Sequence, residues 1–222
     1  MTNAIEIKNV SKKYGKRIIF SNLNINIEEG KMIALVGPSG CGKSTLLNMI
    51  GLLESYDNGE IKILGKELPK IESRAATLIR RNTINYLFQS FALINDMTVC
   101  DNLFLAMNFM NLSNKEKLNK INQMLEQVNL IHVKNELVNT LSGGEQQRVA
   151  LARTILKPGN IILADEPTGS LDTASANNAF DLIKSLCDHY GKTVLMVTHN
   201  TDLANKAHSV IDLSSIQTAK KI

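Results

Sequence analysis

The stretch MIALVGPSGCGKST, residues 32–45, constrains the fold more than any other part of the chain. Five apolar residues run unbroken from Met32 to Val36, the pattern of a strand buried on both faces. The spacing G-x-x-x-x-G-K-[ST] follows in Gly37, Gly42, Lys43 and Ser44, and a helical pattern covers 44–52. Glycines let such a loop curl tightly, so that its N–H groups face a phosphate. The helix beginning near Lys43 adds its positive N-terminal dipole. The bare spacing arises by chance in about 1% of chains of this length. A buried strand before it and a helix after it supply the context that the chemistry needs. Lys43 is then expected to reach the β- and γ-phosphates of a nucleotide, and Ser44 to offer a hydroxyl to Mg²⁺. Pro38, Ser39, Gly40, Cys41 and Thr45 complete the expected phosphate cradle, with Cys41 read as a small tolerated residue.

Strand-like stretches fall at 5–7, 23–27, 32–36, 60–64, 84–88, 161–164, 193–197 and 209–213. Those at 5–7, 23–27 and 60–64 alternate apolar and polar, as half-buried antiparallel strands do, whereas 32–36, 161–164 and 193–197 are continuous apolar runs suited to a parallel sheet. Helical patterns fit 44–52, 99–109, 114–128, 145–156, 173–188 and 201–207. The expected fold is α/β. A parallel sheet forms the core, an antiparallel β subdomain lies at the N-terminus, and a helical subdomain is inserted at about 90–144. The 222 residues read as one domain, its core about 1–89 and 145–222.

In NIILADEPTGSLD (160–172) an apolar strand runs into Asp165 and Glu166. Successive strand residues point to opposite sides, so two adjacent carboxylates cannot both be core residues. At the C-terminal end of a parallel strand they stand where α/β folds hold ligands. Asp165 suits the surroundings of Mg²⁺, and Glu166 suits the polarisation of an attacking water. Gln89, after the 84–88 strand, can bridge metal and water. His199, after the 193–197 strand, can hold a γ-phosphate, and Asp172 can order the loop around the acidic pair.

Other features set bounds. The net charge is +4, from 25 basic and 21 acidic residues, too mild to point to nucleic acid. Cys41, Cys100 and Cys187 are odd in number and widely spaced, which suggests a reducing compartment and neither a zinc site nor a disulfide framework. The start MTNAIEIKNVSKKYG has no apolar signal core, and no run approaches 18 apolar residues. Any membrane role is then expected to come through a partner.

One stretch resists a purely structural account. LSGGEQQ (141–147) places two glycines where a helix begins, although glycine costs about 1 kcal/mol per helical residue relative to alanine. Ser142 can cap the helix and Glu145 can complete a capping box. That explains those two residues but not Gly143 or Gly144. Side-chain-free residues at a helix start let a phosphate approach bare N–H groups.

The order GPSGCGKS, Gln89, LSGGEQQ, IILADEP, SLD, His199 resembles the ATP-binding subunit of ABC transporters over nearly the whole chain. The resemblance implies ATP and Mg²⁺ as ligands and an ATPase reaction, with Glu166, His199 and Gln89 catalytic and Ser44, Gln89 and Asp165 near the metal. Tyr14, in KKYGKRIIF, is similar to the family's adenine-stacking aromatic. Ser142, Gly143, Gly144 and Glu145 would contact ATP held by a second copy, so that ATP joins a homodimer and hydrolysis releases it. A transmembrane permease subunit is the implied partner, engaged near Gln89 and the Met-rich segment 90–110, with the ATPase on the inner face of the membrane. LADEPTGSLD and FQSFALINDMTVCDNL are similar to the macrolide-efflux and lipoprotein-release group, and within it to ATPases of bacteriocin or antimicrobial-peptide exporters. The alternative output is mechanotransmission to a cell-envelope enzyme, as in the cell-division group. DNA-repair relatives insert long coiled coils where this chain has about 100 residues without sustained heptads, and a P-loop kinase needs neither LSGGEQQ nor His199. Two departures stand out. Asn85 replaces a common glycine, which Asn's tolerance of left-handed backbone would excuse, and the usual proline before the signature is missing.

Overall fold

The structure is a computed structural model that describes residues 2–88, 91–169 and 171–218. β1 (Asn3–Tyr14) and β2 (Arg17–Glu28) form an antiparallel hairpin that turns through Gly15 at φ +55°. Phe20, Leu23, Ile25 and Ile27 of β2 point inward between exposed neighbours. The sequence shows only the regular centres of these long strands. Asn9 and Asn22 adopt left-handed backbone beside shifts of register, and these irregularities break the alternation.

β3 (Met32–Val36) leads through the glycine-rich loop into α1 (Lys43–Ile50), and β4 (Asn58–Ile63) with β5 (Lys66–Glu67) makes a second hairpin. The antiparallel sheet has the order β2-β1-β4-β5. α2 (Arg74–Asn82), capped by Ser73, precedes β6 (Ile84–Leu87). This helix is absent from the sequence reading because its apolar face is short, Ala76 and the half-buried Ile79 among polar and charged residues. α3 (Val99–Ala106) and α4 (Asn114–Gln127) follow, with short 3₁₀ turns at Ile131–Val133 and Val138–Thr140. The second turn occupies the approach to the signature, where the proline is missing.

α5 (Gly143–Leu156), β7 (Ile161–Asp165), α6 (Thr173–Tyr190), β8 (Thr193–Val197), α7 (Thr201–Asn205), β9 (Ser209–Asp212) and α8 (Leu213–Thr218) complete the chain. The parallel sheet has the order β6-β7-β8-β3-β9. β8 lies between β3 and β7, with Leu35 and Asp165 both registered on Val197. The chain therefore leaves the C-terminal ends of β3, β7 and β8 at one edge.

Alternation across the parallel strands feeds two cores. Ile33, Leu35, Leu163 and Leu195 face the antiparallel sheet and α1, while Met32, Ile162, Ala164, Val194 and Met196 face α5 and α6. A third core gathers Leu103, Ile121, Leu125 and Leu130 under the middle helices. α5 belongs to two of them. Ala150 and Leu151 pack toward the sheet, and Val149 and Ala152 pack toward the middle helices.

Asn85 is a buried strand residue outside the left-handed region, so the backbone argument for it does not apply. Its amide instead donates to the Thr154 carbonyl at 3.3 Å and the Gly159 carbonyl at 3.4 Å, tying β6 to the end of α5. Gly159 sits at φ +116°, and a Cβ there would lie 2.7 Å from the Thr83 carbonyl oxygen. Gly159→Ala is expected to destabilise the chain by about 2–4 kcal/mol, from backbone strain plus this clash. Urea unfolding followed by circular dichroism measures it, and a midpoint equal to that of the parent would contradict the packing described.

Candidate functional site

Gly37, Gly40 and Gly42 hold φ values of +148°, +73° and +103°, a curl that residues with side chains rarely adopt. At Gly42 space is also lacking, since a Cβ would stand 2.6 Å from Ile19 and 2.7 Å from Phe20 of β2. The antiparallel sheet thus presses directly on the loop. Lys43 is 6% exposed, and its ammonium donates to the carbonyls of Gly37 at 2.8 Å and Pro38 at 3.1 Å. Cys41 packs partly buried against the core below. Arg17, just past the β1–β2 turn, donates to the Gly40 carbonyl at 2.9 Å. A cavity of about 300 Å³ opens above, bordered by Tyr14, Ser39, Lys43, Ser44, Thr45, Glu166 and His199.

The shared strand edge brings the other expected residues to this loop. Ser44 donates its hydroxyl to Asp165 Oδ1 at 3.2 Å, across 121 residues of sequence. Two hard oxygen donors at the phosphate loop fit Mg²⁺, which keeps several waters and takes only one or two protein ligands beside phosphate oxygens. His199 Nε2 lies 2.8 Å from Glu166 Oε1. Glu166 holds φ +49°, an uncommon conformation for a residue with a side chain, and its N–H donates to the Val197 carbonyl at 3.1 Å. Burial raises the Glu166 carboxyl above its ordinary range, opposed by the neighbouring His199 and Lys43 side chains. Glu166 and His199 also border a second hollow of about 710 Å³ with Thr168, Gly169 and Asn200.

Asp172 caps α6, accepting from the N–H groups of Ala174 and Ser175 at 3.0 Å each, and hydrogen bonding from the Ser175 side chain first, then from these N–H groups, holds its carboxyl below the usual range. It fixes the far end of the loop and does not border the phosphate cavity. Gln89 lies outside the described residues. Tyr14 is 47% exposed beside the cavity, with its hydroxyl donating to Glu54.

Ser142 and Glu145 form the capping box, the Glu145 carboxylate accepting from the Ser142 N–H at 2.9 Å. The helix includes both glycines. A Cβ at Gly143 would meet nothing within 4 Å, and one at Gly144 only the Arg148 side chain at 3.7 Å. No packing inside the chain therefore asks for glycine at either position, and neither needs left-handed backbone. Ser142–Glu145 do not border the cavity above Lys43. The fold keeps the two phosphate-type helix starts apart.

Three contacting residues escape the sequence reading. Gln147, 4% exposed, donates to the Pro167 carbonyl at 2.9 Å, coupling α5 to the loop after Glu166. Arg153 donates to the carbonyls of Ala92 at 2.5 Å and Phe91 at 2.8 Å, both residues at positive φ just past Gln89. Arg17 holds Gly40. Polar residues on helices or strand ends carry no periodic signal of such partners.

The sequence profile of the family described as "ABC transporter" matches residues 20–169. The macrolide export ATP-binding/permease protein MacB of Neisseria meningitidis is 38% identical over 94% of this chain. The match covers 33% of that protein, so the chain spans about a third of its length. The lipoprotein-releasing system ATP-binding protein LolD of Treponema denticola is 41% identical over 89% of this chain and 88% of its own. Among solved structures, the bacterial ABC transporter cassette MJ0796, a dimer, superposes with a TM-score of 0.83 at 38% identity, covering 94% of this chain and 93% of that one. The fold is that of a P-loop ABC ATPase.

Glu166 yields a pH test. Its folded pKa is raised, so in the window between the ordinary and the raised value the folded chain binds more protons than the unfolded one, and stability falls as pH rises through it. Glu166→Gln removes that cost. Its melting temperature at pH 7.5 is expected to exceed that of the parent by about 2 °C, the gap closing toward pH 4. A gap that widens in acid would reverse the assignment.

Proposed function

This chain belongs to the ABC transporter family, and from that premise we propose that it binds and hydrolyses ATP as one cassette of a dimer that drives a membrane permease. The observation that carries this reading is the convergence of Ser44, Asp165, Glu166 and His199 on the glycine-rich loop, from the ends of three parallel strands. Lys43 exchanges its carbonyl partners for β- and γ-phosphate oxygens. Ser44 and Asp165 would hold Mg²⁺, with Gln89 serving metal and water as its place in the sequence implies, and the ion would supply neutralisation of phosphate charge. Glu166 orients and polarises the attacking water, and His199 holds the γ-phosphate while fixing the Glu166 carboxylate. Tyr14 stacks on the base. We read residues 1–222 as one ATPase domain, with the helical subdomain at about 90–144.

The second helix start supplies the dimer. Gly143 and Gly144 have no steric role in their own chain, so their bare N–H groups serve a phosphate brought by another copy. Ser142 and Glu145 set the angle of that helix. Gln147 and Arg153 transmit its position to the Pro167 and Phe91–Ala92 loops of the same chain. The dimeric MJ0796 cassette supports this arrangement.

Among the described residues no helix is long and apolar enough to cross a membrane. The permease surface we propose lies around α2 and the segment that follows α3, which Arg81 and Phe109 join. Leu78, Leu105 and Phe109 are 43%, 46% and 64% exposed there, and the Arg81 guanidinium lies 3.6 Å over the Phe109 ring. Similarity to MacB and LolD supports an export or extraction role, and we propose a peptide antimicrobial or other hydrophobic compound as cargo.

Glu166→Gln is expected to slow hydrolysis at least about 100-fold, the usual worth of a positioned base, and to give a dimer with MgATP by light scattering. Adding Gly143→Ala to that variant is expected to return a monomer that is no less stable, since alanine favours the helix by about 1 kcal/mol. A Glu166→Gln chain that stays monomeric at saturating MgATP, or a Gly143→Ala version that still dimerises, would defeat the dimer reading. Single cysteines at Leu78 or Phe109 are expected to cross-link to a co-expressed permease, and a cysteine at the remote Ile131 is not. Equal yields at all three would move the docking surface elsewhere.

A further inference from the structure

The base subsite has a part that stacking alone does not explain. Lys12 and Tyr14 are two residues apart on β1, so their side chains leave the strand on the same side. The Lys12 ammonium stands 4.9 Å from the centre of the Tyr14 ring. It is 7% exposed and cannot wander, being held by the Ser55 carbonyl at 2.7 Å and Glu54 Oε1 at 2.9 Å. The same Glu54 oxygen accepts the Tyr14 hydroxyl, and Thr45 also bonds to that hydroxyl. One carboxylate thus fastens both the cation behind the ring and the ring's outer end. Glu54 closely follows the C-terminal end of α1, and Thr45 lies in its first turn.

We propose that Lys12 and Glu54 are positioning residues that turn Tyr14 into a fixed, polarised platform for a purine base. The inference rests on the nucleotide reading of the glycine-rich loop. Two aromatic faces repel when stacked squarely, because the ring quadrupole makes each face electron-rich. A cation behind one face draws that charge away and leaves the opposite face better suited to a base. Glu54 stops the ring from swinging about its χ1 and χ2 bonds, so the base meets a surface already in place. α1 carries the phosphate subsite at one end and the anchor of the base platform at the other.

Calorimetric titration with MgATP and with magnesium tripolyphosphate, which has no base, separates this role from a structural one. Glu54→Gln and Lys12→Met are each expected to weaken ATP binding by about three- to tenfold, the scale of a cation–π contact or of one charge-assisted hydrogen bond. Tripolyphosphate affinity is expected to stay within about twofold, because the variants leave the phosphate loop intact. In a Tyr14→Ala background neither substitution should weaken ATP further, and in steady state KM for ATP should rise with kcat little changed. Equal losses for both ligands, or losses that add to that of Tyr14→Ala, would overturn the proposal. Should Lys12→Met fail to fold, the isosteric Glu54→Gln carries the test alone. A parent chain that binds neither ligand would instead overturn the nucleotide reading, a result distinct from the others.

Discussion

The parallel pairing of β3 and β7 on either side of β8 is the constraint from which the site follows. Strand hydrogen bonds fix the relative heights of Leu35, Val197 and Asp165. The loops that leave those strands must then begin together. A slip of one residue in any strand would exchange the side chains of its two buried faces, so packing against both cores enforces the register. The hydroxyl of Ser44, the carboxylates of Asp165 and Glu166 and the imidazole of His199 meet because three apolar strands cannot slide.

The antiparallel sheet and α5 extend this arrangement in different directions. β2 packs on Gly42 and the β1–β2 turn reaches Gly40 and the cavity rim, so the N-terminal sheet both supports the phosphate loop and presents Tyr14. α5 is wedged between two cores, which lets the helix behind the signature glycines hold the loops on either side of it. The Gln147 and Arg153 bonds end on backbone carbonyls, so they hold loop position and not merely side-chain contact. A shift of the signature helix would be felt at Pro167 and at Phe91. That is the mechanical property a cassette needs if events at its surface are to reach a partner protein.

Much of the fold was legible because burial leaves a periodic trace. Continuous runs at 32–36, 161–164 and 193–197 became the three central parallel strands, and the long helices fell within a few residues of their patterns. α2 was not legible, because its short apolar face, Ala76 and the half-buried Ile79, lies among polar and charged residues. The length of β1 and β2 was hidden by Asn9 and Asn22, where left-handed backbone breaks the alternation. Asn85 was read for its backbone, but its role is a buried amide joining β6 to α5.

For the site itself, local chemistry was visible and partnership was not. The chain alone marks a phosphate loop, a strand-end acidic pair and a helix start with two unexplained glycines, because each depends on residues adjacent in sequence. Tertiary structure decided that Ser44 meets Asp165, that His199 meets Glu166, and that Tyr14 has Lys12 over its ring and Glu54 at its hydroxyl. It also decided that the signature glycines lie away from their own chain's cavity. Those outcomes depend on strand order and on contacts such as that of Ser44 with Asp165, 121 residues apart, and no local pattern of side chains encodes a distance of that kind.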